Sequence, residues 1–148
     1  MRRNTTASFG RGSEGPVAPA ILISVGEPNR GKTVSESQSE YSALTLPNDA
    51  NVLGTLFGGR LMQLVDMAGA IAAVRHARSS VVTASVDQLT FLRPVKIGQL
   101  VVLRSAVNRV FHTSMEVGVK VFVEDLRTGE TRHVSSAYLT FVALDERG

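Results

Sequence analysis

The hydrophobic and polar positions divide the chain beyond residue 31 into one long apolar helix followed by several strands. From Leu61 to Val74 the residues favour a helix, include no proline and are apolar on almost every face. A helix that is hydrophobic all round is typical of a protein core, and fourteen residues are too few to cross a bilayer. We therefore predict a central helix that is buried on all sides.

After this helix, apolar and polar residues alternate with a period of two, which is typical of β-strands. The alternation is clearest in Ser114–Leu126, where valines share one face and charged residues share the other. Short turns separate this segment from three further strand-like segments, Val81–Leu92, Gln99–Phe111 and Thr131–Leu144. An extended segment from residue 32 to residue 46 precedes the helix. The order predicts an α+β fold, with an antiparallel β-sheet wrapped around one long central helix.

Composition restricts the classes of function. The chain has 148 residues, 43% of them hydrophobic and 20% charged, as expected of one globular domain. It contains no cysteine, and its three histidines have no metal-ligand spacing, so we predict no metal site. Residues 1–33 carry five basic and two acidic side chains, whereas the rest carries eleven of each sign. A neutral folded part argues against nucleic-acid binding, and no apolar run is long enough to span a membrane.

The N-terminal residues 1–31 are rich in Gly, Ser, Thr, Pro and Arg, so we predict a disordered extension ahead of a domain over 32–148. Their short apolar run does not fit a signal peptide, and we interpret the protein as cytoplasmic. Residues Gly26–Thr33 fit the phosphate-loop pattern G-x-x-x-x-G-K-T. A genuine phosphate loop requires an amphipathic helix directly after Thr33. The polar alternation of residues 34–42 suits an edge strand better.

Asp66 is the single carboxylate within the apolar helix. An ionised carboxylate needs partners when it is buried, and Arg75 or Arg78 would supply a purely structural one. The glycine pair Gly58-Gly59 at the helix start favours a functional interpretation instead. The first N–H groups of a helix are free donors near a partial positive charge, where they polarise a carbonyl group. A carboxylate nearby would activate water against that carbonyl.

The spacing of these groups restricts the site further. Gly59 and Asp66 are seven residues apart, which is roughly 10 Å along a helix. An oxyanion donor and a base must both lie about 3 Å from one reacting centre. Two antiparallel copies of the helix in a dimer satisfy this condition better than one copy. The hypothesis is an active site that is shared between subunits.

Two further polar residues are candidates for the same chemistry. Asn51 lies in the loop before the helix, where Asn is usually a turn former. As a functional group, its amide would hold a water or donate to an oxyanion. Thr83 lies on the first strand after the helix, and its hydroxyl would orient water or Asp66. A strand Thr is also simply compatible with β-structure, so both interpretations stay open.

The other candidates have equally plain structural interpretations. His76 closes the helix, where the helix dipole favours a histidine cap over a catalytic acid. Thr113 and Ser114 begin a strand near Arg109, and small hydroxyl residues beside an arginine are able to hold a phosphate. A turn explains these two hydroxyl residues equally well.

Six short motifs in this order closely resemble the hotdog-fold acyl-CoA thioesterases, in the bacterial acyl-CoA hydrolase group related to the mammalian brain and cytosolic enzymes. They are Leu46–Asn51, Gly54–Gly59, Asp66–Gly69, Val82–Asp87, Phe91–Pro94 and Thr113–Val117. The resemblance runs from about residue 32 to residue 144. Residues 1–31 lie outside it, so we interpret the phosphate-loop match as accidental.

The resemblance implies hydrolysis of an acyl-CoA thioester to free CoA and a carboxylic acid. It implies no cofactor, because CoA is part of the substrate. It also implies homodimers with shared active sites at the interface, often assembled as trimers of dimers into homohexamers. Two alternatives stay open. One is a hotdog enoyl-CoA hydratase, which needs a histidine–carboxylate pair, and the other is an acyl-CoA sensor without turnover.

The resemblance also assigns roles to individual residues. The catalytic loop Asn and helix acid of the family, contributed by different subunits, match Asn51 and Asp66, and an assisting strand Thr matches Thr83. The motif residues implied to contact substrate are Phe57, Gly58, Gly59, Arg93, Thr113 and Ser114. Some relatives have Asp or Asn where this chain has Thr55, and a Thr cannot serve as the catalytic carboxylate. Asp66 is thus the remaining carboxylate candidate, either as general base or as nucleophile.

Overall fold

The computed structural model describes residues 32–148 and contains one α-helix and five β-strands in the predicted order. The bounds are β1 Ser39–Leu44, α1 Gly58–Ala77, β2 Val81–Phe91, β3 Leu100–Val110, β4 Ser114–Glu124 and β5 Thr131–Ala143. Single 3₁₀ turns, Ser35–Ser37 and Pro47–Asp49, flank β1. The four strands predicted after the helix are confirmed to within two residues. The extended segment predicted from residue 32 to residue 46 is confirmed only in part, because the 3₁₀ turn Ser35–Ser37 precedes β1 within it. The helix α1 begins and ends three residues beyond the prediction and includes both start glycines.

All five strands pair antiparallel in the order β1-β3-β4-β5-β2, so the predicted antiparallel sheet is confirmed. Short turns join β3 to β4 and β4 to β5, as the sequence predicts. The two edge strands are β1, which precedes α1 in the chain, and β2, which follows α1 directly. The helix lies across the sheet and contacts every strand.

The core is formed mainly by valines, leucines and alanines of α1 and the sheet, together with Met115 and one aromatic ring, Phe141. This ring approaches the helix at Gly69, where an added Cβ would lie 3.0 Å from the Phe141 ring. A glycine at this helix position therefore permits the close packing of helix on sheet. A second contact is polar, since the buried Ser105 hydroxyl donates to the Ala68 carbonyl at 2.8 Å.

The prediction that α1 is buried on all sides is wrong for the single chain. Four of its apolar side chains are between 37% and 46% exposed, namely Met62, Met67, Ile71 and Val74. One sheet covers only one side of a helix, so the opposite side of α1 stays open. The adjacent edge strand β2 is open as well, because residues 82–88 are all exposed. The open face of α1 and the edge of β2 form one continuous region, which we call the open face.

The predicted disordered extension over residues 1–31 lies outside the described residues. The end of the phosphate-loop pattern is described, and Thr33 is followed by a 3₁₀ turn and strand β1. The amphipathic helix that a phosphate loop requires is therefore absent from this position. Lys32, the lysine of the pattern, donates from Nζ to the His76 carbonyl at 2.6 Å, across the end of α1.

Candidate active site

The structure brings Asp66 and Thr83 together at the border between α1 and β2. The Thr83 hydroxyl donates to Asp66 Oδ1 with an oxygen–oxygen distance of 2.6 Å. This is the length of a charge-assisted hydrogen bond to a carboxylate. Asp66 is half-buried rather than fully buried, because its side chain reaches the open face. The carboxylate is therefore fixed by one hydroxyl and still accessible.

The start of α1 presents two main-chain N–H groups without acceptors. The N–H groups of Arg60 and Leu61 both donate to the Phe57 carbonyl, at 3.0 and 3.1 Å. Those of Gly58 and Gly59 have no hydrogen-bond acceptor among residues 32–148. No acidic side chain lies in the first turn, so the positive end of the helix dipole is not neutralised there. This end of α1 is suited to a carbonyl oxygen that develops negative charge.

A groove of about 240 Å³ opens beside this helix start. Its lining is mostly apolar and comprises Leu56, Gly58, Leu61, Phe91, Leu92, Arg93, Pro94 and Val95. The predicted substrate-contact residues Gly58 and Arg93 therefore share one cavity. Phe57 does not line this groove, but its half-exposed ring lies so close to Gly59 that an added Cβ would approach it to 3.0 Å. The groove is suited to an apolar group attached to a carbonyl.

Asn51 lies in the loop before α1 and shapes that loop with its own side chain. Its Oδ1 accepts from the main-chain N–H groups of Leu53 at 2.9 Å and Thr55 at 3.1 Å. Its amide nitrogen donates to the Thr55 hydroxyl at 3.0 Å. The turn-forming interpretation of Asn51 is confirmed, and its contact with substrate stays a prediction.

The loop is anchored to the helix start through Asp49. The main-chain carbonyl of Asp49 accepts from the Phe57 N–H at 2.8 Å. The side-chain carboxylate of Asp49 lies 3.2 Å from Arg60 Nε. The other carboxylate oxygen accepts from the Leu46 N–H at 3.0 Å. The loop that carries Asn51 and the helix that carries Asp66 are thus held in a fixed relation.

Thr113 and Ser114 lie far from the groove within one chain. Thr113 ends the turn between β3 and β4, where its carbonyl accepts from the Ala143 N–H at 2.8 Å, and Ser114 begins β4. The groove lies near Val95, just before the opposite end of β3. An eleven-residue strand is roughly 35 Å long at about 3.3 Å per residue, so one chain does not bring these hydroxyls to the helix start.

His76 lies in the last turn of α1, as predicted, but it is not a charged cap. Its side chain is only 1% exposed, and neither ring nitrogen has a hydrogen-bond partner within the described residues. Burial, together with the nearby Lys32 ammonium, lowers the pKa of His76 to about 4, although the Glu36 carboxylate opposes the shift. The ring is therefore neutral near pH 7. The enoyl-CoA hydratase alternative required this histidine beside a carboxylate at the site, and the structure places it at the opposite helix end.

Neither a metal centre nor a membrane-spanning helix is found between residues 32 and 148. No group of three or more His, Asp or Glu side chains in this part of the chain is arranged to hold a metal ion. No helix in it is long and apolar enough to cross a membrane.

Comparison with known proteins identifies the family. Residues 53–130, more than half of the chain, match the thioesterase superfamily. The chain belongs to this superfamily. It is 45% identical over 113 residues to YkhA of Bacillus subtilis, named an uncharacterized acyl-CoA thioester hydrolase, in a match that covers 76% of this chain. The match covers 66% of YkhA, so the chain spans just under two thirds of that relative's length.

Solved structures of this superfamily show the same fold. The acyl-CoA hydrolase of Staphylococcus aureus, in complex with butyryl-CoA and CoA, is 39% identical with a TM-score of 0.74. That alignment covers 78% of this chain and 70% of the other. The hexameric thioesterase y2039 of Yersinia pestis is 35% identical with a TM-score of 0.68, and the alignment covers 73% and 88% of the two chains. The predicted hotdog fold and thioesterase resemblance are thereby confirmed.

Several features of the site were missed by sequence reasoning. Phe91 and Leu92 line the groove, whereas the sequence shows them only as part of a motif, and their position beside Pro94 at a strand end is the available signal. Thr55 is the partner of Asn51, whereas the sequence indicates only that it cannot replace a carboxylate. The ion pair between Asp49 and Arg60 has no sequence signature, because residues eleven apart across a loop follow no helical or strand period.

Proposed function

We propose that this protein is an acyl-CoA thioesterase, which hydrolyses an acyl-CoA thioester to free CoA and a carboxylic acid. The observation that carries the proposal is the position of Asp66 on the open face of α1, fixed by Thr83, on a helix whose first turn carries the Gly59 N–H. The Staphylococcus aureus relative supports it further. That acyl-CoA hydrolase has been solved as single alanine variants of an aspartate, an asparagine and a threonine, the residue types of our three catalytic candidates.

The proposed active site is shared between two subunits of a homodimer. Asp66 and Gly59 are roughly 10 Å apart along one helix, which is too far for both to contact one thioester. An antiparallel partner would bring its own Asp66 to the helix start of the first chain. The open face supports this arrangement, because a second copy would bury its apolar side chains and pair with the free edge of β2. Since related thioesterases are hexameric, we extend the proposal to a homohexamer, a trimer of dimers.

In the proposed reaction, the thioester carbonyl oxygen accepts a hydrogen bond from the Gly59 N–H at the positive end of α1. Asp66 of the other subunit removes a proton from water, whose oxygen attacks the carbonyl carbon. The tetrahedral intermediate collapses with cleavage of the carbon–sulfur bond and releases CoA as a thiolate. A thiolate is a good leaving group, so this route needs no strong general acid. The acyl group occupies the groove beside Phe91, and Asn51 contacts the reacting groups from the loop.

The proposal includes no cofactor other than the CoA that the substrate carries, and it includes a cytoplasmic location. Retention of full activity after dialysis against a chelator and desalting tests the first point. Fractionation of cells that express the full chain tests the second.

The decisive experiment is thiol release from acyl-CoA esters of short to long chain length. Asp66→Asn is expected to lower kcat by about 10²-fold or more, on the usual scale for a general base. Asp87→Asn is the matched control, because Asp87 also accepts hydroxyl hydrogen bonds near β2, from Ser85 and Thr140. Turnover that survives in Asp66→Asn would remove Asp66 from the mechanism. Binding of CoA esters without thiol release by wild type would favour the sensor alternative.

Mixed oligomers test whether the site is shared. Asp66→Asn and Asn51→Asp subunits are inactive alone under the proposal, but a mixed dimer contains one site with both native groups. Random mixing after mild unfolding should therefore restore about a quarter of wild-type activity, because half of the dimers are mixed and each has one intact site. If mixing restores nothing while mixed dimers form, both residues act within one chain.

An isotope experiment tests whether Asp66 acts as a nucleophile. Multiple turnovers in H₂¹⁸O introduce label into the Asp66 carboxylate only if this group attacks the thioester and the resulting anhydride is opened by water at the aspartyl carbon. A general base leaves the carboxylate unlabelled and directs all label to the acid product. Label in the peptide that contains Asp66, measured by mass spectrometry, would establish nucleophilic attack with opening of the anhydride at the aspartyl carbon, and we expect this peptide to be unlabelled.

A further inference from the structure

The side-chain amide of Asn51 has a defined orientation within its loop. Its Oδ1 accepts from two main-chain N–H groups, those of Leu53 and Thr55, and the Thr55 hydroxyl lies 3.2 Å from it. Main-chain N–H groups can only donate, so they establish which amide atom is the oxygen. Three donors saturate this oxygen, and it faces the interior of the loop.

The amide nitrogen is bound on one side only. One Nδ2 hydrogen is directed to the Thr55 hydroxyl at 3.0 Å. The second Nδ2 hydrogen has no acceptor in the part of the chain that the structure describes. A primary amide can donate twice and accept twice. Asn51 therefore presents to its surroundings one N–H donor, and its acceptor atom is already occupied.

The loop itself does not depend on the Thr55 hydroxyl. The Asn51 N–H donates to the Thr55 carbonyl at 2.8 Å, and the Gly54 N–H donates to the Asn51 carbonyl at 3.0 Å. Gly54 has a φ of +75°, which permits this tight turn, and bridges connect Ala50 to Leu56 and Thr55 to Lys96. Main-chain contacts thus close the loop. The hydroxyl contacts the amide alone, and it holds the amide nitrogen in the orientation that the two main-chain N–H groups set for the oxygen.

We propose that Thr55 is a positioning residue that orients Asn51, and that Asn51 acts in thioester hydrolysis as a hydrogen-bond donor. The inference rests on the proposed function and deepens it. Sequence reasoning left two roles for Asn51, holding a water or donating to an oxyanion. With Oδ1 occupied, Asn51 cannot accept from the attacking water, so its free N–H donates to an oxygen of the reacting group. Thr55 cannot replace a catalytic carboxylate, and its role in the reaction is to position Asn51.

The first test compares Thr55→Val with Thr55→Ser by thiol release. Valine keeps the shape and removes the hydroxyl, so kcat should fall about tenfold, the effect of losing roughly one hydrogen bond, with KM little changed. Serine keeps the hydroxyl and should restore kcat to within about twofold, which a purely steric role would not explain. The thermal midpoint of each variant serves as the structural readout. A Thr55→Val enzyme with wild-type kcat would overturn the positioning role.

The second test compares Asn51→Asp with Asn51→Ala. Aspartate keeps the oxygen that accepts from Leu53 and Thr55 but has no N–H, so it should be as slow as alanine, about 10²-fold or more below wild type, on the scale of one oxyanion donor. An Asn51→Asp variant that keeps substantial turnover would refute the donor role. Absence of thiol release from wild type refutes the proposed function and this inference with it. If the wild type releases thiol and Thr55→Val or Asn51→Asp does so at the same rate, the inference is refuted and the proposed function stands.

Discussion

Replacing Thr83 by valine removes the hydroxyl that donates to Asp66 and retains a β-branched side chain of the same shape. The hydrogen bond is 2.6 Å long and its acceptor is a carboxylate. Hydrogen bonds to charged groups contribute about 1.5–3 kcal/mol, and the lower end applies here because both side chains reach solvent in the single chain. A loss of about 1.4 kcal/mol corresponds to a tenfold change, so Thr83→Val should lower kcat about tenfold.

A double-mutant cycle shows whether Thr83 acts through Asp66. If the hydroxyl matters only by holding the carboxylate, it has nothing left to hold in Asp66→Asn. The double variant should then turn over at the rate of Asp66→Asn alone, a coupling expected of residues that act as a unit. Thiol release at saturating acyl-CoA measures all four proteins. A tenfold further loss in the double variant would show that Thr83 acts independently, for example by binding water directly.

The neighbouring hydroxyl–carboxylate pair provides the control for this cycle. Ser85, on the same strand as Thr83, donates to Asp87 Oδ1 at 2.7 Å, nearly the same length as the bond from Thr83 to Asp66. Ser85→Ala therefore removes an equivalent hydrogen bond without touching Asp66 or the helix start. We expect kcat within about twofold of wild type. A tenfold loss of kcat in Ser85→Ala as well would mean that such substitutions disturb strand β2. The lower kcat of Thr83→Val would then not be evidence that Thr83 holds Asp66.

Two further predictions concern stability. The unfolded chain protonates His76 below pH 6.5, whereas the folded chain does so only near pH 4. His76 therefore leaves stability unaffected above pH 6.5 and lowers it increasingly from 6.5 to 4, by roughly 2 kcal/mol at pH 5. Urea unfolding at pH 7 and pH 5 should show a smaller difference in His76→Gln, and an unchanged difference would contradict the assignment. Gly69→Ala should lower stability by about 1–3 kcal/mol, because its methyl group would lie 3.0 Å from the buried Phe141 ring. At Gly58 the nearest atom is 4.0 Å from an added Cβ, so Gly58→Ala should not lower the thermal midpoint, and equal losses would contradict the packing argument.

The strands were predictable because the period of two is a local property. In β4 the buried positions Met115, Val117 and Val119 alternate as the sequence pattern requires, since one face of the strand packs on α1. The order of strands in the sheet was not predictable in the same way. It depends on which edges meet after collapse, and no local pattern records that β2 pairs with β5 while β1 pairs with β3.

The candidate site was predictable at residues whose type is unusual for the element that contains them. Asp66 is a charged group in an apolar run, and two adjacent glycines at a helix start lower helix propensity without an evident structural benefit. Both departures indicated function before the fold was known. Thr55 and the Asp49–Arg60 ion pair do not contradict their surroundings, because polar residues are ordinary in loops. Their roles depend on distances across a folded loop, which composition and periodicity do not encode.

The error about α1 is itself informative about assembly. The sequence predicts a helix that is buried on all sides, and one chain buries only the side that faces the sheet. The exposed methionines and aliphatic side chains would then be a physical liability in a lone subunit, since apolar surface favours association. In the proposed dimer, a second copy covers this same side and brings its Asp66 toward the first helix start. Complete burial of α1 and completion of the active site would thus be two consequences of one contact. The substitution Ile71→Lys should therefore convert oligomers to monomers in sedimentation and abolish thiol release together. Leu126→Lys, which replaces an exposed residue of the turn between β4 and β5, should do neither. A monomeric Ile71→Lys variant with full activity would show that one chain contains the whole site.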